Sequence, residues 1–118
     1  MTFRLIRLST GPDGQSHFSA EPVPFATEDP VGALSATEAV AAIIFAETAA
    51  GSSLDWHNAP CRQYVITLSG MLVFETRGGE LETIRPGDIL LAEDVTGGGH
   101  RWRLVDEAPW RRVYVTQA

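Results

Sequence analysis

The sequence predicts an all-β protein, a sandwich or barrel of short strands. Eleven Gly and seven Pro among 118 residues supply frequent tight connections and leave little room for long helices. From Gly51 onward, short runs of β-branched, aromatic and aliphatic residues alternate with Gly-containing turns. Hydrophobic residues make up 44% and charged residues 20%, the balance of a globular chain with a real core. A chain of this length hides roughly two thirds of the surface it would expose unfolded, so it can fold without staples.

Thr2 to Leu8 alternates Phe3, Leu5 and Arg7 with Arg4, Ile6 and Leu8, which predicts a first strand that Ser9-Thr-Gly-Pro-Asp-Gly then breaks. Gln15 to Pro30 contains Pro22, Pro24 and Pro30 and reads as irregular wrapping or edge strand. Ser35 to Ala50 carries two signals. Ala36, Ala39, Val40, Ile43 and Ile44 form a helical stripe behind a Ser35/Glu38 capping box, yet Ala42 to Ala49 also alternates. The strand-rich surroundings favour a strand over at least Ala42 to Ala49. Gln63 to Leu68 is a strand, as is Met71 to Thr76, and Arg77-Gly-Gly-Glu turns the chain into Leu81 to Ile84. Arg85-Pro-Gly-Asp leads to Ile89 to Ala92, Thr96-Gly-Gly-Gly is a loop, and His100 to Val105 and Arg111 to Thr116 close the set. No repeat or linker divides the chain, so it reads as one domain over 1–118. Residues 1–35 are its N-terminal strand and wrapping segment, and 36–118 its barrel.

Charge excludes several functions. Fifteen Asp and Glu oppose nine basic residues, for a formal charge of −6. All nine basic residues are Arg, so no lysine amine can form a Schiff base. The negative balance repels phosphate backbones and no basic stripe offsets it, which argues against nucleic acid as a partner. The nearest basic groups, Arg101/Arg103 and Arg111/Arg112, read as local pairing. Cys61 is the only cysteine, so neither an intrachain disulfide nor a thiolate cluster can form. The first eight residues mix charge too closely with apolar side chains for a signal peptide. No apolar run approaches the ~20 residues of a membrane span. The expected setting is a reducing cytoplasm, without a membrane partner.

Gly51, His57, Ala59, Gln63 and Gly70 stand at the spacing of the first cupin motif, Gly-x5-His-x-His-x3-4-Glu-x6-Gly. Arg85-Pro-Gly-Asp-Ile-Leu-Leu, a loop and His100 resemble the second, with Gly87 as its opening glycine. From Gly51 to Trp102 the chain therefore resembles a small single-domain cupin. The resemblance implies a double-stranded β-helix, or jelly-roll cupin barrel, with a pocket at one mouth and frequent dimerisation. It also implies where a metal would sit, and there the sequence departs. Of three His and one Glu, only His57 and His100 remain, with Ala59 and Gln63 in the other two places. Losing an imidazole and a carboxylate removes donors that a divalent ion needs. The expectation is no cofactor, or a weakly bound Fe, Mn, Ni or Zn ion on His57 and His100 with Gln63 or Asp55. Asp55 enters because strand alternation points it the same way as His57; Glu93 or Asp94, before His100, could serve likewise.

If the two imidazoles converge, His57, His100 and Gln63 form a catalytic set. Two rings that titrate near neutrality can divide the base and acid roles, and the amide can hold a developing oxyanion. Val65, Thr67 and Trp102 are expected as pocket walls, with Asp55 at the substrate. This predicts a barrel that binds a small organic molecule and performs weak-metal or metal-free acid/base chemistry of the isomerase, cyclase or lyase kind. A metal-dependent cupin oxygenase or isomerase and a non-catalytic ligand-binding module are the alternatives. His17 is assigned no role, Cys61 reads as a small packed residue, Trp56 as core packing or a subunit contact, and Trp110 as an anchor for the last strand. Gly97-Gly98-Gly99 reads as a flexible loop or a mobile lip over the pocket. A homodimer that covers edge strands is expected, with the first strand as a natural element for exchange.

Overall fold

A computed structural model describes residues 2–117, and every regular element among them is a strand. No helix there is long and apolar enough to cross a membrane. The twelve strands are β1 (Leu5–Thr10), β2 (Ser16–Glu21), β3 (Phe25–Asp29), β4 (Gly32–Ser35), β5 (Val40–Thr48) and β6 (Ser53–His57), then β7 (Gln63–Ser69), β8 (Leu72–Thr76), β9 (Leu81–Ile84), β10 (Ile89–Ala92), β11 (His100–Leu104) and β12 (Trp110–Gln117). They form a six-stranded sheet in the order β2-β1-β10-β7-β12-β5, a four-stranded sheet β6-β11-β8-β9 and a separate β3-β4 hairpin. The fold is all-β and jelly-roll-like, as the sequence predicts.

Alternation explains how the two large sheets close on each other. Ile6, Leu8, Val65, Leu90 and Trp110 project from the six-stranded sheet onto Leu72, Phe74, Ile84 and Leu104 of the four-stranded sheet. Each such side chain contributes about 1.5–3 kcal/mol when fully buried. Leu8 and Leu72 are wholly buried.

The N-terminal segment differs most from expectation. β1 begins at Leu5 rather than Thr2, because its parallel pairing with β10 starts at Leu5↔Ile89. Arg4 fastens this end with a 2.7 Å ion pair to Asp88 and a second to Glu82. β1 lies between β10 and β2, so both its edges are paired within the sheet. The stretch expected to be irregular holds β2, β3 and the start of the β3-β4 hairpin. Its prolines fall between strands: Pro22 and Pro24 precede β3, and Pro30 sits in the turn before β4. The contested segment is strand from Val40 to Thr48, because β12 offers it a full antiparallel ladder from Trp110↔Thr48 to Gln117↔Val40. Isolated helix propensity cannot match that pairing. β5 and β2 are the two edge strands of the six-stranded sheet.

Candidate functional site

Between the two sheets lies a cavity of about 370 Å³ whose walls include His57, Gln63, His100, Trp102, Arg112 and Tyr114. Hollows of about 430 and 630 Å³ on the outer faces contain no histidine. The two imidazoles meet because His100 on β11 is directly paired with His57 on β6. Their ring centroids are 4.4 Å apart and the planes are inclined by 60°.

Two local features of the backbone produce this meeting. The β6-β11 register runs from His100↔His57 to Trp102↔Leu54, so β6 carries one extra residue, a β-bulge. The bulge puts Leu54 and His57 on the cavity side and turns Asp55 away from it. Gly99 precedes His100 with φ of 74°, and a Cβ there would stand 2.4 Å from the His57 carbonyl oxygen. Only glycine allows the two strands to close at this point.

Each ring is held from behind. His100 is buried, and its Nδ1–H donates to Asp94 Oδ2 at 2.6 Å. Asp94 is fully buried and accepts a second bond at the same oxygen from Ser16 Oγ at 2.7 Å. Asp94 is the last residue before the Val95–Gly99 loop, whose start is clasped by Ala59 N–H and Asn58 Nδ2–H donating to the Asp94 carbonyl. His57 Nδ1–H donates to the Asp55 carbonyl at 2.8 Å. Nε2 of both rings therefore has no protein partner among the described residues. Burial pushes the His57 pKa below its ordinary value, the neighbouring His100 adds to this, and the Asp55 carbonyl opposes it. His57 is thus a neutral ring with an unprotonated Nε2 at neutral pH.

The rest of the wall is aromatic. Phe74 lies 5.8 Å from His100 and 6.2 Å from Trp110, and Trp102 meets Trp110 edge-on at 4.8 Å. Arg112 stacks 3.8 Å from the centroid of Trp110 and is buried. Its Nε donates to Tyr114 Oη at 3.0 Å, and one Nη donates to Thr48 Oγ1 and the Trp110 carbonyl.

Of the residues expected here, His57, His100, Gln63, Val65 and Trp102 line the cavity together. Two do not. Thr67 is fully buried behind Trp110 and accepts its indole N–H at 3.2 Å, so it supports the wall instead of forming it. Asp55 is swung outward by the bulge, with its carboxylate 84% exposed and 4.0 Å from Arg101; it can neither touch a cavity ligand nor join the imidazoles on a metal. Glu93 is held by Arg7 and Arg62 on the outside. Asp94 does approach His100, but at Nδ1, as the group that orients the ring. Cys61 reaches Gln63 Oε1 at 3.7 Å, a thiol beside the cavity wall. Trp56 is not core: it lies between the guanidiniums of Arg77 and Arg101 at 4.4 and 4.7 Å. The triple-glycine loop is no free lip, since Gly98 N–H donates to Gly14 O at 2.9 Å and Gly98 O accepts from Arg77 at 2.8 Å.

Arg112, Tyr114 and Phe74 escaped the sequence reading. The signal for the first two was present in the period-2 series Trp110, Arg112, Tyr114, but the Arg111-Arg112 pair does not reveal by itself which member turns inward. Arg111 faces Glu47 at 3.0 Å on the other side.

The donor set is a poor fit to a resident metal ion. Among the described residues no three His, Cys, Asp or Glu side chains come together in a way that could hold one. Two imidazoles and the Gln63 carboxamide supply no anionic ligand. No protein-family model matches this chain, and no curated protein matches it.

Proposed function

We propose that this chain is a small cupin-like barrel that binds a small organic molecule between its sheets and moves a proton next to a carbonyl group, the chemistry of an isomerase, cyclase or lyase. The observation that carries this reading is the imidazole pair, 4.4 Å apart in a cavity of about 370 Å³ with otherwise largely aromatic and apolar walls. His57 Nε2 takes the proton from the carbon, because its ring is kept neutral by burial. Repulsion disfavours charging both rings at once, so the proton passes from His57 Nε2 to His100 Nε2. His100 returns it through Nε2, while Asp94 keeps Nδ1–H in place and fixes the ring. The Gln63 amide N–H donates to the oxygen on which charge develops. The aromatic and apolar walls lower the local polarity around the reacting carbon and strengthen these interactions.

The test is deuterium exchange in D₂O, followed by NMR, at carbons next to the carbonyl of small ketones and oxo acids. Wild type accelerates exchange in at least one compound, and the His57→Ala, His100→Ala double variant does not. Equal rates in the two proteins would refute the assignment.

The homodimer belongs to the same proposal. Its support is the outer face of the six-stranded sheet, where Phe45 (77% exposed) and Ile43 (59% exposed) continue rows begun by Val113 and Val115. A second copy that covers these rows would also close the unpaired β5 edge.

A further inference from the structure

Arg112 is a cation in a place where cations are not left alone. It is 9% exposed and makes no ion pair among the described residues, although Arg4, Arg7, Arg62, Arg101 and Arg111 all do. Arginine stays charged at any physiological pH, so burial cannot neutralise it as it would a lysine. Buried charges are paired or hydrogen-bonded by ions as a rule. The three acceptors that Arg112 has are neutral: a phenol, a threonine hydroxyl and a backbone carbonyl. They occupy Nε and one Nη, which leaves the N–H groups of the other Nη without a protein acceptor. No Asp or Glu lines the cavity, in a chain whose formal charge is −6.

We infer that Arg112 anchors a carboxylate, so that the molecule bound in the cavity is a small organic monocarboxylate with an apolar body. The inference rests on the proposed binding role of the cavity and names the class of its ligand. One exposed Nη and one cation suit a monoanion; a phosphate dianion asks for a second cation or a nest of backbone N–H groups, and the lining offers neither. The order of side chains then sets the orientation. Arg112 stacks on Trp110, Trp110 meets Phe74, and Phe74 meets His100. The carboxylate sits at the Arg112 end, the apolar body crosses the aromatic floor, and the reacting carbon reaches the imidazoles. Thr48 on β5 and Tyr114 on β12 fix the guanidinium in that position before the ligand arrives.

The test compares matched acids and amides: benzoate with benzamide, phenylacetate with phenylacetamide, hexanoate with hexanamide. Binding is followed at pH 7.5 by calorimetry and by quenching of tryptophan fluorescence. In wild type at least one acid binds about tenfold or more tightly than its amide, the amount expected of one charge-assisted contact. Arg112→Gln removes that preference, so that each acid binds no more tightly than its amide, and Arg112→Lys keeps part of it. The inference is overturned by acids and amides that bind alike across the panel, by inorganic phosphate that binds as tightly as the best acid, or by an Arg112→Gln protein that is folded by circular dichroism and keeps the preference. If Arg112→Gln fails to fold, the wild-type comparison and Arg112→Lys decide. Acid preference without deuterium exchange would overturn the proton-transfer reading alone, and exchange without acid preference would overturn this one alone.

Discussion

Burial lowers the pKa of His57, and the sign of that shift has two consequences. The folded protein binds the His57 proton less readily than the unfolded chain, whose histidines titrate near about 6.5. Its contribution to stability is therefore complete above that value and is lost as the pH falls through the folded pKa. The same neutral ring is the base, so exchange activity should hold above pH ~6.5 and fall on the acid side at a lower pH than an ordinary histidine would give; a pH–rate profile of wild type measures this. Asp94 makes the second prediction. Asp94→Ala strands Ser16 Oγ and His100 Nδ1 in a buried site, which should cost on the order of 3 kcal/mol in denaturant unfolding and abolish exchange in whatever protein remains folded. The third concerns metal. Protein purified without added ions should carry far less than one equivalent by elemental analysis, since a carboxamide and two imidazoles lack the charge to retain one. At this scale the sequence was readable where motif spacing fixes the position of a side chain, as at His57, Gln63 and His100, which all line the cavity. It was not readable for Asp55 or Arg112, whose directions depend on a bulge and on the facing strand.

The closing of β6 on β11 depends on Gly99. Gly99→Ala sets a Cβ 2.4 Å from the His57 carbonyl and forces a φ of 74° on a residue that rarely adopts it. The expected cost is about 1–3 kcal/mol in unfolding free energy, with loss of exchange activity even where the fold survives, because His57 is moved off His100. A different element titrates in the opposite sense. His17 on β2 bonds Asp13 at 2.9 Å and Glu80 at 2.5 Å, and these partners raise its pKa. Its contribution is present at low pH and is lost as the pH rises through the raised value, which an NMR titration of the two histidines would separate by sign. From β7 to β12 the elements were legible because Gly-containing turns bracket strongly strand-forming runs. β2 to β4 were obscured by prolines that in the fold only separate strands. β5 was ambiguous because its alanines suit either period, and the ladder with β12, more than sixty residues away in the chain, resolves it.

For the whole molecule the relevant surface is the outer side of the larger sheet. Wild type is expected to sediment as a dimer, and Phe45→Glu, which sets a charge in the apolar rows without touching the cavity, as a folded monomer. The sequence foretold the layered β architecture, because alternation and turn chemistry are local. It did not foretell the sheet order, in which strands far apart in the chain become neighbours. β1 is the extreme case: it is held by β10 at one edge and by β2 at the other.

Arg4 and Asp88, which join across that parallel pairing, are 84 positions apart. During synthesis the first strand thus leaves the ribosome long before its partner exists, and a β-sheet with a vacant central slot must form around it. A polypeptide severed in the Gly11–Gly14 turn should accordingly reassemble from its two pieces, the short one slotting into the gap, with recovery of the near-ultraviolet dichroism of Trp102 and Trp110 on mixing as the sign that it has done so.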